Sequence, residues 1–326
     1  MEKKNMAIPD IKENWTNRIN TVTIGATAEQ GGTRGKTVTV GGETTLPSLI
    51  FEGEIPHRPV IAGMVMDVVP EDWPDMLKKA IGKEINSPTE WAQKCVQDFK
   101  VDLICLKLLG ADPAGKNRSP AEAAKTVKSV LEAVDVPLII WGCGDEDKDN
   151  EVLPECSQAA KGENCLMGSV TETNYRTMGA IGTADKHKLI AEAPVDINIA
   201  KQINILLQDA GFDLKDVVMC QSTAALGYGF DYVYTIFERV RIAGLKGDKH
   251  MALPQIANVS QEVWKIKEAI VDEDILPGWG KLEKRGPAWE TATAAGYLQA
   301  GADILTLAHP DSVSVVRELI DEMMRK

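Results

Sequence analysis

The chain has 326 residues, 36 Lys and Arg against 48 Asp and Glu, a formal charge of −12, and 5% aromatic residues. Phosphate backbones and anionic membrane surfaces are bound by basic patches, and base stacking needs aromatic platforms, so neither nucleic acid nor membrane is expected as a partner. No apolar run approaches the roughly 18 residues of a spanning helix, and the polar residues 1–10 lack the apolar stretch of a signal peptide, so the expected location is cytoplasmic.

Residues 1–58 differ from the rest. Residues 21–24 (TVTI) and 37–40 (TVTV) alternate hydroxyl and aliphatic side chains, the period of a strand, around a turn-rich QGGTRG at 30–35. A β-hairpin extension over 1–58 is expected, followed by one large domain over 59–326. The GTRGKT at 32–37 resembles a phosphate-binding loop, but Gln30 stands where that loop needs a glycine, and both flanks are strand-like. It reads as the hairpin turn.

Eight short apolar runs then recur, at 60–65, 102–106, 137–141, 165–168, 188–191, 217–220, 252–257 and 303–307. Such continuous runs suit parallel strands buried on both faces. Helical signals separate them. Ser87 and Ser119 are each followed by Pro and, at the third position, by Glu. Apolar residues repeat at helical spacing through Val127, Val130 and Leu131, through Ile199, Ile203 and Leu207, through Val233, Ile236, Phe237 and Val240, and through Val316, Leu319, Ile320 and Met323. Eight strand–helix units predict an α/β fold of the (β/α)8 TIM-barrel class. The rival, an open doubly wound sheet, usually has a glycine-rich turn after its first strand, where this chain reads MVMDVVP at 64–70.

Barrel sites lie at the C-terminal ends of the strands. Two strand-to-helix loops are long, 67–86 and 258–286, the second with a helical stretch of its own over 263–271. Strand ends supply the candidate binding residues: Lys107; Gly142, Gly144 and Asp145 in the WGCGDEDKD exit at 141–149; Glu172; Gln221; Asn258; Trp279; and His309. No nucleophile–base pair stands among them, so no catalytic residue is assigned; the inventory suits holding a large, polar-rimmed ligand. His187 precedes a strand, falls at the opposite end, and reads as a surface histidine. The six cysteines, Cys95, Cys105, Cys143, Cys156, Cys165 and Cys220, form no C-x-x-C pair, and the four histidines form no H-x-x-x-H pair. No metal site is expected in this chain, and the thiols read as buried and inert.

Four stretches carry a family resemblance: GYGFDYVYTIFERVR at 227–241, WGCGD at 141–145, DINIAKQIN at 196–204 and AGADILTLAHP at 300–310. Together they resemble the small subunit of the corrinoid iron–sulfur protein, whose archaeal relative is the delta subunit of the acetyl-CoA decarbonylase/synthase complex. The resemblance implies a TIM barrel in a heterodimer with a large corrinoid iron–sulfur subunit. That subunit would carry the 4Fe-4S cluster and a cobalamin-binding domain. The heterodimer would accept a methyl group from methyltetrahydrofolate through a separate methyltransferase and deliver it to CO dehydrogenase/acetyl-CoA synthase. This is the reductive acetyl-CoA (Wood–Ljungdahl) pathway, and a reductive activator is a further implied partner. Cobalamin would lie between the large subunit and the top of this barrel, so the strand-end residues become expected cobalamin contacts, inferred from position alone. The chain itself would be a non-catalytic methyl-carrier subunit. The alternative is a pterin-dependent methyltransferase barrel acting on a corrinoid partner.

Overall fold

The computed structural model describes residues 12–325, so the reading of residues 1–10 lies outside the described residues. Strands β1 (Thr21–Ile24) and β2 (Val38–Gly41) pair antiparallel, with Val22 opposite Val40. The chain then alternates through β3 (Val60–Met66), α1 (Asp75–Ile81), α2 (Pro88–Gln97), β4 (Leu103–Lys107), α3 (Pro120–Ala133), β5 (Leu138–Trp141) and α4 (Glu146–Ala159). It continues through β6 (Leu166–Val170), α5 (Tyr175–Asp185), β7 (Lys188–Glu192), α6 (Ile197–Asp209), β8 (Val217–Cys220) and α7 (Phe230–Leu245). The last part is β9 (Ile256–Ala257), α8 (Val259–Val263), α9 (Lys267–Ile270), α10 (Leu282–Ala300), β10 (Ile304–Leu307) and α11 (Pro310–Met323).

Strands β3 to β10 form one parallel sheet in which each pairs with its chain neighbour and β10 returns to β3. The Met219 N–H donates to the Pro254 carbonyl at 2.8 Å and joins β8 to β9, which closes the ring. This is the expected (β/α)8 TIM barrel with a β-hairpin extension. All eight apolar runs are barrel strands. The seventh shrinks to two paired residues for a chemical reason: Pro254 has no N–H, and the Gln255 N–H is taken by the Asp303 carboxylate at 2.7 Å. The expected helical stretch over 263–271 is interrupted, with α8 ending at Val263 and α9 starting at Lys267. The long loop over 67–86 contains α1. Both Ser-Pro signals are helix starts. Ser87 accepts from the Glu90 N–H, and Ser119 forms a reciprocal capping box with Glu122.

The hairpin seals the N-terminal end of the barrel. Val22, Ile24, Val38 and Val40 join the main hydrophobic core. The Asn20, Gly25 and Gly35 N–H groups donate to the carbonyls of Ala252 (2.8 Å), Asn164 (2.8 Å) and Asp135 (2.7 Å), each just upstream of a barrel strand. Two buried arginines lock it there. Arg34, inside the turn, donates to Glu163 at 2.8 Å and to the Leu131 and Val134 carbonyls, each at 2.6 Å, at the C-terminal end of α3. Such carbonyls carry the negative end of the helix dipole. On the other side Arg241, 1% exposed, donates to Glu43 at 2.6 Å, to Asp303 at 2.8 Å and to the Gly301 carbonyl. Burial works against its charge, and Asp303 and Glu43 outweigh burial, so its pKa is raised. No helix among the described residues is long and apolar enough to cross a membrane.

Removing Arg241 strands two carboxylates in the core. Arg241→Met should lower stability by about 3–5 kcal/mol, the usual loss when one partner of a buried pair is deleted. Urea denaturation checks this; a midpoint shift no larger than that of a surface control such as Lys284→Met would contradict it.

Candidate functional site

With one end plugged, the C-terminal mouth is the open end. Met66, Lys107 and Trp141 stand in register at the ends of β3, β4 and β5. Met66 and Lys107 line a cavity of about 200 Å³ with Cys143, Pro70, Trp73, Gln261 and Lys265. Lys107 is 6% exposed, and burial lowers its pKa, opposed in part by Glu192 and Asp149. Both acids are engaged elsewhere. The Trp141 indole donates to Ser169 at 3.0 Å, and the Ser169 hydroxyl donates to Glu192. Asp149 accepts the Cys143 and Gly144 N–H groups at 2.7 and 3.0 Å. The Lys107 side chain makes no hydrogen bond or ion pair among the described residues; its Nζ lies 5.9 Å from the centre of the Trp141 ring.

The other strand-end residues divide by what they touch. Gly142 is glycine because a Cβ there would stand 2.3 Å from the Asp149 carboxylate. Gly144 is exposed at φ +104°, with open space around a Cβ built there. Asp145 caps α4 by accepting from the Lys148 N–H at 2.9 Å, and Glu172 is exposed. Gln221 is fully buried, with neither amide atom hydrogen-bonded. Asn258 is engaged on every side: its N–H donates to Thr223 at 2.8 Å, its Nδ2 to Gln261 at 3.0 Å, and its Oδ1 accepts from Thr306 at 2.8 Å. Trp279 stands on the rim between Lys267 and Arg285, 5.9 and 5.6 Å from its ring centre. His309 caps α11, its Nδ1 accepting the Asp311 N–H at 3.1 Å. Its own N–H donates to Glu290, which also accepts from Trp264 and the Ala308 N–H. Lys107 and Asn258, through Gln261, therefore meet at the cavity, while Glu172 and Trp279 lie outside it.

A reading of strand ends misses the rim. Among the described residues nine large apolar side chains are exposed: Val69, Val195, Tyr228, Tyr232, Ile275 and Trp279 lie in strand-to-helix loops or the first turn that follows, while Ile50 and Phe51 precede β3 and Val315 lies within α11. The available signal was an apolar residue in a loop that has no core to join. Larger hollows of about 660 and 760 Å³ open beside the hairpin at the opposite end. In their walls Lys188 is paired with Asp216, and Arg34 with Glu163. His187 also lies at that end, but the surface reading is corrected: it is 1% exposed, its Nδ1 accepting the Cys165 N–H while Nε2 meets the Ser157 carbonyl. The chain entering β7 turns inward one residue earlier than its polarity suggests.

No group of three or more His, Cys, Asp or Glu that could hold a metal ion exists among the described residues. Five cysteines are buried and Cys143 is half-buried. Burial pushes the Cys105, Cys143 and Cys165 thiols up to about 12.

The family model for the CO dehydrogenase/acetyl-CoA synthase delta subunit matches residues 21–320. The chain belongs to this family. The acetyl-CoA decarbonylase/synthase complex subunit delta of Archaeoglobus fulgidus is 37% identical over 321 residues, covering 96% of this chain and 70% of that protein. Subunit delta 1 of Methanosarcina thermophila is 36% identical over 312 residues, covering 94% and 70%. The subunit delta of Methanocaldococcus jannaschii is 33% identical over 308 residues, covering 94% and 74%. Among solved structures, dihydropteroate synthase from Stenotrophomonas maltophilia matches with a TM-score of 0.52 at 16% identity, over 82% of this chain and 95% of that one. The Thermus thermophilus enzyme matches with a TM-score of 0.52 at 16% identity, over 85% and 99%. At that identity the likeness extends to the barrel fold alone.

Two predictions follow for this delta-subunit barrel. Gly142→Ala should displace the Asp149 carboxylate and destabilise by about 1–3 kcal/mol, as overpacking does; a melting temperature unchanged from wild type would contradict the contact. Burial holds the pKa values of His187 and His309 below the usual 6.5. Their contribution to stability is whole above 6.5 and is lost as pH falls from there through the folded value, because the unfolded chain takes up the protons first. Stability should therefore drop by up to about 1.4 kcal/mol per pH unit per histidine below that point. Urea midpoints across about pH 7.5 to 5.5 check this, and a flat profile would contradict it.

Proposed function

We propose that this chain is the barrel subunit of a heterodimeric corrinoid iron–sulfur methyl carrier, and that its C-terminal face covers the cobalamin. The large subunit would hold the 4Fe-4S cluster and the cobalamin-binding domain. The pair would accept a methyl group from methyltetrahydrofolate through a methyltransferase, deliver it to CO dehydrogenase/acetyl-CoA synthase in the Wood–Ljungdahl pathway, and meet a reductive activator, all in the cytoplasm. The observation that carries this reading is the family match over residues 21–320.

The shape of the mouth supports a cover rather than a self-contained active site. Pockets that enclose a drug-sized ligand run to about 300–1,000 Å³, and a corrinoid is larger than such ligands. A cavity of about 200 Å³ cannot enclose it. The open face around the cavity can lie against it, with the apolar rim of Val69, Val195, Tyr232 and Ile275 to exclude water. Gly142, Asn258 and His309 are occupied in holding the scaffold. Contacts toward the cofactor would then fall to Lys107, the Gly144 backbone, Asp145, Glu172 and Trp279, with Gln221 beneath them. Cobalamin, when bound, supplies the bond-making of methyl transfer; this chain positions and shields.

The test uses the heterodimer with Gly144→Trp and, separately, with Tyr232→Glu/Trp279→Glu. Both should form heterodimer by gel filtration yet lose more corrin absorbance on desalting than wild type. Unchanged corrin retention in both would contradict the proposal. Titration of the chain alone with methyltetrahydrofolate separates the methyltransferase alternative, which requires tight binding without the large subunit.

A further inference from the structure

We propose that the barrel-mouth cavity is a binding site for a single oxyanion, a carboxylate or phosphate group, held by Lys107. Three Lys or Arg side chains are buried among the described residues: Arg34, Lys107 and Arg241. The two arginines are each surrounded by carboxylate and carbonyl oxygens. The Lys107 side chain has no acceptor among the described residues and lines the cavity, so only water or a ligand there can pair its ammonium. The acids whose fields reach it cannot move to it freely: Glu192 holds the Ser169 hydroxyl, and Asp149 holds two backbone N–H groups at the start of α4. Cys105 and Cys143 also face it, and burial keeps both thiols protonated.

The cavity wall defines the ligand further. Met66, Pro70 and Trp73 give an apolar side that suits a short hydrocarbon stem. Lys265 stands in the wall as a second cation, already paired with Glu262 at 2.9 Å, and exposed Asp72 adds a negative charge. That balance suits one small oxyanion and opposes a polyanion. A charge-assisted hydrogen bond from Nζ would give the buried ammonium the partner this chain does not supply. The site consists of this chain's own residues and goes beyond the cover proposal, because it requires no corrinoid.

The experiment is calorimetric titration of the full chain, without partner, with inorganic phosphate in one arm and acetate and butyrate in the other. Saturable one-to-one binding is expected in at least one arm, and the arm that binds assigns the oxyanion class. Lys107→Met should weaken it by about tenfold or more, the scale of losing a hydrogen bond to a charged group, while Lys284→Met leaves it unchanged. Independently of any variant, the bound anion should slow acylation of Lys107 in the wild-type chain, read by peptide mass spectrometry. No saturable binding in either arm, equal affinity in a folded Lys107→Met, or unslowed acylation of Lys107 would overturn the site. Because this is read on the isolated chain and the cover is read by corrin retention in the heterodimer, either can fail while the other stands.

Discussion

Arg241 lies between Glu43 of the hairpin segment and Asp303 at the foot of β10, and the rest of the molecule depends on that buried cluster. A parallel barrel has two ends, and this chain must close one of them with residues that come before the first barrel strand. Arg241 and Arg34 do so from opposite sides, binding the hairpin to α7 and to the C-terminal end of α3. The guanidinium suits both places because its planar fork can serve several oxygens at once. Val22, Ile24, Val38 and Val40 fill the N-terminal end, which leaves the C-terminal mouth as the open end of the barrel.

At that face most polar groups are committed to the scaffold. Asp149 ties down the start of α4, Glu290 gathers the backbone after β10, and Asn258 links the ends of β8, β9 and β10. These satisfied networks make the mouth rigid. What is left over is informative: an unpaired Lys107, a buried Gln221 and an apolar rim. A face with little acid–base machinery but a shielded centre and an adhesive edge is suited to meeting another surface and excluding water from what lies between. Membership of the delta-subunit family, whose relatives are subunits of the acetyl-CoA decarbonylase/synthase complex, fits that character.

The barrel was legible because each strand is apolar on both faces and each helix on one, two patterns that do not overlap in residues such as 138–141 and 127–131. The seventh strand was legible as a run but not in its length, since the loss of pairing comes from Pro254 and from a carboxylate 48 residues away. The site was legible only as a list of strand ends. That Gly142 makes room for Asp149, or that His309 caps a helix, depends on contacts across a turn that no periodicity reports. Arg34 looked like a turn residue and is a buried anchor; His187 looked exposed and is buried. In both cases a polar side chain is drawn inward by backbone groups orphaned at element ends, a demand that tertiary structure sets.

The central claim, that the open C-terminal face and not the plugged end meets the corrinoid partner, is tested most directly by amide hydrogen exchange on this chain with and without the large corrinoid iron–sulfur subunit. The account predicts new protection in the loops over 67–74, 142–146, 171–174, 193–196, 221–229 and 258–281, with exchange in the hairpin over 21–41 unchanged. Protection confined to the hairpin and the loops beside it, with the strand-to-helix loops exchanging as in the isolated chain, would contradict it.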